Sequence, residues 1–230
     1  MLRPLELLEI QVATLFDLDT RGRIRSPAGA PKAAQLFLGR TTEGNRFHAR
    51  ADIPDVLVAE LGSIAAREPP LARLAESAPP PAPAATLGDA LGSWEREYRG
   101  PAFLLLEASD DTSRAELVTP ANAARLAGPF DWIPAELADI SPTVVVVERG
   151  ETVSVCHCAR RGVRAAEAGA ETVPAARGRG HARAAVAAWA AHVRASGRLP
   201  LYSTWWENRA SLAVAAALGA LAYAEDFHLT

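Results

Sequence analysis

Apolar residues recur with helical spacing in several stretches of the chain. Four stretches place them three and four positions apart, which predicts helices: 5–16, 54–66, 86–98 and 180–196. Shorter helices are predicted at 120–126 and 134–138, where prolines stand near the start. Asn208 is suited to cap a last helix that ends at Gly219.

Other stretches alternate apolar and polar residues or are continuously apolar, which predicts strands: 34–40, 45–51, 102–107, 143–147, 152–161, 165–173, 199–204 and 221–229. Four consecutive valines at 144–147 indicate a strand buried on both faces. Arg149-Gly150 then predicts a hairpin turn. In the following strand, alternation puts Val153, Val155 and His157 on one face and the residues between them on the other.

The strand at 165–173 has an unusual alternation. Glu167, Gly169 and Glu171 share one face, and alanines occupy the other. Because two carboxylates cannot share a dry core unpaired, we expect the glutamate face to line a cavity or the surface. The alanine face is what a sheet presents to a closely packed helix.

The chain has 230 residues, of which 49% are hydrophobic, so it can bury a sizeable core. The segment 69–83 is rich in proline and alanine and predicts a linker. We therefore expect an N-terminal α+β unit over 1–83, including the linker, and a second domain over 84–230.

Charge and cysteine usage exclude several classes of protein. The formal net charge is −3, which gives no basic field for nucleic acid. Cys156 and Cys158 have no partner pair for a disulfide framework or a zinc site, so we expect no metal and a reduced, cytoplasmic setting. No stretch reads as a membrane span or a signal peptide.

The turn Val173-Pro-Ala-Ala-Arg-Gly-Arg-Gly-His-Ala182 joins the glutamate-bearing strand to the long helix at 180–196. Glycine lets the backbone approach a ligand closely, and a helix start supplies unpaired N–H groups and a favourable dipole. The turn therefore predicts an anion-binding site. It lacks the Gly-Lys-Ser/Thr ending of a nucleotide-binding P-loop.

The predicted order of strands and helices, together with this turn, resembles the GCN5-related N-acetyltransferase (GNAT) family. The family signature is Arg or Gln, two residues, Gly, one residue, then Gly or Ala, which Arg177, Gly180 and Ala182 fit. Tyr202 and the segment from Glu207 to Gly219 follow at the family's later spacing. The resemblance covers roughly 102–230 and implies an α/β (α+β) fold: a mixed, mostly antiparallel central sheet flanked by helices.

The resemblance also implies acetyl-CoA as co-substrate and transfer of its acetyl group to a primary amine of a small molecule or peptide, by direct attack in a ternary complex. Thr172 and Val173 would pair through their backbone with the pantetheine arm. Asn208 would contact the same arm, with Ser211 one turn further along. The turn would bind the pyrophosphate through backbone N–H groups of Arg177, Gly178, Arg179, Gly180, His181 and Ala182.

The catalytic groups stay open at this point. Glu167 or Glu171 is the candidate base, acting directly or through water, although either can instead lie at a cavity rim or pair with a nearby arginine. A backbone N–H near Val173 is the expected oxyanion donor.

Many family members carry a tyrosine as general acid where this chain has Ala215. Tyr202, Tyr223 or Ser211 are candidates to replace it, or the thiolate leaves unassisted. The alternative function is a non-catalytic, CoA-binding regulatory module. A homodimer is compatible with either.

Overall fold

A computed structural model describes residues 2–26, 33–74, 79–106 and 114–230. In chain order its elements are α1 (Pro4–Leu15), β1 (Leu36–Arg40), β2 (Asn45–Ala49), α2 (Asp55–Ala65), α3 (Ala84–Leu91), β3 (Glu97–Leu104), β4 (Ala115–Leu117), α4 (Ala123–Leu126), α5 (Ile133–Ile140), β5 (Val144–Glu148), β6 (Glu151–Arg161), β7 (Ala165–Thr172), a 3₁₀ turn (Pro174–Ala176), α6 (His181–Ala195), β8 (Leu199–Ser203), α7 (Arg209–Ala217) and β9 (Leu221–Leu229).

The chain forms two compact units. The first unit comprises Met1–Ala102, Ser203–Asn208 and Ala222–Thr230, and the second comprises Phe103–Tyr202 and Arg209–Leu221. The domain boundary expected after residue 83 lies inside the first of these ranges and stays a prediction. None of the described helices is long and apolar enough to cross a membrane.

The strands of the first unit follow the order β2-β1-β9-β3. β1 pairs antiparallel with β2 and with β9, which confirms the predicted hairpin around residues 41–44. Leu36, Leu38 and Phe227 of this sheet form a core with Leu61 and Ile64 of α2. The predicted helices at 5–16 and 54–66 are confirmed to within one residue.

The helix predicted at 86–98 was too long. α3 ends at Leu91 because Gly92 takes a left-handed conformation with φ of 83°. Tyr98, which was expected on that helix, lies in β3, and β3 begins five residues before the strand predicted at 102–107. Residue 107 of that prediction lies outside the described residues.

A cluster of buried charges in the first unit has no counterpart in the sequence prediction. The Arg40 guanidinium donates to the carboxylates of Glu68 and Glu225, all three side chains being at most 4% exposed. Arg99 Nη2 lies 3.0 Å from Glu225 Oε2, and Trp206 Nε1 donates to the same oxygen at 2.7 Å. Two guanidinium and two carboxylate groups balance one another, which is the condition for keeping charges in a dry interior.

The strands of the second unit follow the order β8-β7-β6-β5-β4. All of these neighbours are antiparallel except β7 and β8, which are parallel. The hairpin of β5 and β6 is confirmed, whereas β4 was not predicted. The fold is thus mixed α/β with mostly antiparallel sheet flanked by helices, as expected.

The predicted alternation of β6 was wrong at one residue. The register shifts so that Val146 pairs with Ser154 and Val147 with Thr152, which leaves Val153 as the extra residue of a β-bulge. Val153 therefore packs in the core that contains Cys156 and Cys158, while Val155 packs in a second core under α4 and α5.

The alanine face of β7 packs against α6, as predicted. Ala166 of β7 shares a core with Ala185, Ala188 and Trp189 of α6, and Trp189 is fully buried. Small side chains on both elements let the helix lie close to the sheet. This packing fixes the N-terminus of α6 relative to the end of β7.

Candidate active site

The predicted anion-binding turn has the backbone conformation that such a site needs. Gly178 and Gly180 have φ values of 75° and 81°, and α6 begins at the next residue, His181. A Cβ atom built on either glycine would meet no heavy atom within 4 Å. The left-handed backbone therefore requires glycine here, and the space beside it is open to a ligand.

The N–H groups of this turn fall into two classes. Arg177 N–H donates to Pro174 O at 3.3 Å, within the 3₁₀ turn. For the N–H groups of the next five residues, 178–182, the described part of the chain supplies no backbone acceptor. Because α6 has 15 residues, its N-terminus adds a partial positive charge at the same place. The turn therefore has the backbone features of an anion-binding site.

Charged side chains surround the turn. Arg179 Nη1 pairs with Glu148 Oε2 at 2.6 Å, and Arg177 Nε donates to Thr172 O at 3.2 Å. His181 is 3% exposed, and its Nε2 lies 3.7 Å from Glu148 Oε1. Sequence reasoning missed Glu148 because it ends β5, far from the turn in the chain, and no local pattern marks it.

β7 and β8 pair over only part of their length. The register covers Ala165–Glu167 against Leu199–Leu201 and stops there, although β7 continues to Thr172. Leu199 N–H donates to Arg164 O at 2.9 Å, so even-numbered residues of β7 point their backbone groups towards β8. Within the second unit, the backbone of Ala170 and Thr172, beyond the last paired residues, therefore faces a gap between the strands.

The two residues expected to hold the pantetheine arm differ in their contacts. Thr172 directs its backbone groups to the gap, where Arg177 Nε already binds its carbonyl. Val173 N–H instead donates to Val153 O at 3.0 Å, on the β6 side. The oxyanion donor expected near Val173 is therefore not this N–H in the present conformation.

Glu167 and Glu171 lie on the same face of β7 but in different surroundings. Glu167, at 4% exposure, is the last β7 residue paired to β8, and its partner there is Leu201. Glu171 is exposed. The expectation that the glutamate face meets solvent or a cavity therefore describes Glu171, whereas Glu167 is buried at the point where the strands separate.

Tyr202 follows Leu201 and so points to the opposite face of the sheet from Glu167. Its hydroxyl is hydrogen-bonded to Ser211 Oγ on α7. Burial raises the pKa of Tyr202, while the bond to Ser211 acts in the other direction. The phenol therefore stays protonated at neutral pH and is able to donate a proton. Ala215 is buried in the same core as Tyr202.

The second unit thus contains every predicted site residue except Asn208 and Tyr223. Asn208 belongs to the first unit, where its N–H donates to Trp205 O at 3.1 Å just before α7 begins. Tyr223, a further candidate acid, is also in the first unit and is 1% exposed.

His157 of β6 makes structural contacts. Its ring packs edge-on against Trp132, with centroids 5.1 Å apart, and burial lowers its pKa despite the nearby carboxylates of Glu171 and Glu136. Among the described residues, no three His, Cys, Asp or Glu side chains are grouped to hold a metal ion.

No family model and no curated protein matches the chain. Similar solved structures include an acetyltransferase candidate of the GNAT family from Novosphingobium aromaticivorans, with 18% identity and a TM-score of 0.48, over 60% of this chain and 66% of that one. A GCN5-related N-acetyltransferase-like protein from Streptococcus suis has 16% identity and a TM-score of 0.48, over 64% and 67%. A GNAT-family acetyltransferase from Colwellia psychrerythraea has 12% identity and a TM-score of 0.45, over 100% and 98%.

The first of these matches spans slightly less than two thirds of the similar protein. At such identities the likeness concerns the fold alone. These similar structures are named as GCN5-related N-acetyltransferases or as GNAT-family proteins, and this is the family that the sequence of the chain also resembles.

Proposed function

We propose that the protein transfers an acetyl group from acetyl-CoA to a primary amine of a small molecule or peptide. The observation that carries the proposal is the junction of two features: the glycine turn at the start of α6 and the unpaired backbone edge of β7 that leads into it. An extended ligand that ends in a phosphate-bearing group fits both at once.

The turn would hold the pyrophosphate of the cofactor. The N–H groups of residues 178–182 would supply the donors and Arg177 would add positive charge, whereas the charge of Arg179 is paired with Glu148. The pantetheine arm would lie in the gap beside β7, bonded to the backbone of Ala170 and Thr172. Five residues separate Thr172 from Glu167, a rise of about 17 Å along the strand, so the arm would direct its thioester towards Glu167 and Tyr202.

The two faces of the sheet would then divide the proton transfers. Glu167 would accept a proton from the acceptor ammonium, directly or through water, which frees the amine nitrogen to attack the thioester carbonyl carbon. As the carbon–sulfur bond breaks, Tyr202 would donate its hydroxyl proton to the sulfur and recover one through Ser211. Glu171, being exposed, remains the second candidate base.

A non-catalytic module that binds CoA is the alternative. Ala215 favours it, because this position carries the acid in many family members and here only fills the core. Tyr202 lies in the same core with a protonated hydroxyl, which favours the catalytic proposal.

The binding claim is tested by calorimetry with CoA on the Gly180→Glu variant. A carboxylate in the turn should weaken CoA binding at least tenfold by repulsion and by filling the open space. Gly150→Glu is the matched control, because Gly150 also has a left-handed backbone with no neighbour within 4 Å of a Cβ. Equal CoA affinity in wild type and Gly180→Glu would refute the site.

The catalytic claim is tested by following thiol release from acetyl-CoA over a panel of amines. Turnover on any primary amine that is lost in Gly180→Glu supports the transferase. Tight CoA binding without turnover on the whole panel would instead support the regulatory module.

A further inference from the structure

The second unit contains a pocket of about 320 Å³ at the C-terminal end of α6. It is lined by apolar side chains, among them Leu117 and Val193, and by two arginines, Arg161 and Arg198. The proposed CoA turn lies at the other end of α6, about 22 Å away along 15 residues of helix. The pocket is therefore separate from the transferase site.

Neither arginine of the pocket has an acidic partner among the described residues. Arg161 donates to the carbonyls of Ser141 at 2.9 Å and Ala138 at 3.4 Å. Arg198 donates to Gly162 O at 3.0 Å and to Ser196 Oγ at 3.2 Å. A guanidinium has five N–H donors, so these neutral contacts use only part of each group.

A purely structural role for the two arginines is the competing explanation. Ser141 and Ser196 cap the C-termini of α5 and α6, and helix C-termini attract cations. Each helix end contributes about −0.5 of an elementary charge, or about −1 in total. Two permanently charged guanidinium groups exceed this, which leaves a net positive charge of about one at the pocket.

The Cys158 thiol lies close enough to both guanidinium groups to be influenced by their charge. Its sulfur is buried beside the pocket, within hydrogen-bonding range of Pro142 O. Burial is the largest influence and raises the pKa of Cys158, yet Arg161 and Arg198 both act to lower it. The charges of both guanidinium groups therefore act on the same side of the pocket, next to Cys158.

We propose that this pocket binds a small organic carboxylate with an apolar body. Its volume lies at the lower end of the range for ligand sites, about 300–1,000 Å³. At about 30 Å³ for a water-sized group, it holds roughly ten non-hydrogen atoms. A carboxylate matches the fork of a guanidinium and its single charge matches the net charge of the pocket, while the apolar walls cover the rest of the molecule.

Benzoate is a suitable probe, since it has one carboxylate on an apolar ring, and benzamide is its neutral counterpart. We expect saturable binding of benzoate to the full chain in calorimetry or ligand-observed NMR, at least tenfold tighter than benzamide. Equal binding of the two probes, or no saturable benzoate binding at millimolar concentrations, would overturn the proposal without the need for any variant.

The double variant Arg161→Gln/Arg198→Gln should bind benzoate at least tenfold more weakly, because a hydrogen bond to a charged group is worth about an order of magnitude in affinity. Arg177→Gln/Arg179→Gln removes the same charge from the glycine turn and should leave benzoate affinity unchanged. If only the latter variant loses benzoate, the anion binds at the turn and the pocket proposal is wrong. CoA affinity reports on the turn alone, so failure of one proposal does not imply failure of the other.

Discussion

Glu167 and Tyr202 lie on opposite faces of the sheet at the point where β7 and β8 separate. Glu167→Gln keeps the shape of the side chain and removes its basicity. We expect turnover to fall by about 10²-fold or more, most strongly at low pH where the acceptor is protonated, with CoA affinity unchanged. Glu171→Gln, on the same face of β7, is the matched comparison in a pH–rate measurement. A wild-type profile for Glu167→Gln would remove Glu167 as the base.

Tyr202→Phe removes only a hydroxyl. If Tyr202 protonates the leaving thiolate, kcat should fall by about 10²-fold while CoA affinity stays the same. Burial raises the pKa of Tyr202 above its ordinary value of about 10, so the wild-type phenol stays protonated up to that pH. Deprotonation of Tyr202 should therefore cause no loss of activity below about pH 10. Steady-state kinetics of Tyr223→Phe provides the control. Unaltered kcat in Tyr202→Phe would mean that the thiolate leaves without this acid.

Some of these residues could be predicted from the sequence and others could not. Gly178 and Gly180 are recognisable because a glycine turn before a helix is a local pattern. Glu148 is not, since its contact with Arg179 joins residues 31 positions apart. Tyr202 was one of several candidate acids, and only the structure shows its bond to Ser211.

At the scale of elements, β3 approaches its neighbouring segment too closely for any side chain at Gly100. A Cβ atom there would lie 1.8 Å from the carbonyl oxygen of Thr204. Gly100→Ala should therefore destabilise the protein by about 3 kcal/mol, through forced backbone movement.

Gly62→Ala is the opposite case and the control. Gly62 lies within α2, where the nearest atoms to an added Cβ are 3.9 Å away. This substitution should stabilise the protein by about 1 kcal/mol, because alanine is the better helix former. Urea unfolding measures both variants. An unchanged free energy of unfolding in Gly100→Ala would contradict the close approach of Gly100 to the Thr204 carbonyl.

Element positions were predictable where the pattern is local, and the errors have local physical causes. The helix at 86–98 was extended through Gly92 because apolar spacing continued beyond it, yet its left-handed backbone ends α3. The bulge at Val153 leaves no mark in the sequence, since valine suits a strand in any register. The short strand β4 is defined by its pairing with β5, which is a tertiary contact.

At the scale of the whole molecule, stability should depend on pH through His228. This side chain stacks on Tyr98, with ring centroids 4.5 Å apart, and burial lowers its pKa from 6.5 to about 4. Above pH 6.5 it is neutral in both folded and unfolded chains and contributes no pH dependence. Between pH 6.5 and about 4 the unfolded chain binds the proton more readily, so the free energy of unfolding falls as the pH falls.

His228→Phe keeps an aromatic ring against Tyr98 and removes this titration. We expect the wild type to lose about 2.5 kcal/mol more than the variant between pH 7 and pH 4.5, measured by urea unfolding. His192→Gln, at an exposed position on α6, should behave as wild type. Identical acid sensitivity in wild type and His228→Phe would show that other groups dominate.

The ion pairs among the buried charges of the first unit could not be predicted from the sequence. Arg40, Glu68, Arg99 and Glu225 come from four distant parts of the chain. Each resembles an ordinary surface charge until the fold brings it beside its partners. The sequence alone predicted no special role for any of them.

The gap beside β7 leaves backbone groups of Ala170 and Thr172 without a neighbouring strand in the second unit. A strand segment with unpaired backbone groups is a template for strands of other molecules, and natural proteins block such edges with charge or proline. Here Pro174 follows the segment, and the Arg177 guanidinium occupies the carbonyl of Thr172. We therefore expect Arg177 to hinder the addition of a foreign strand at this end of β7, and any extended ligand in the gap to hinder it further.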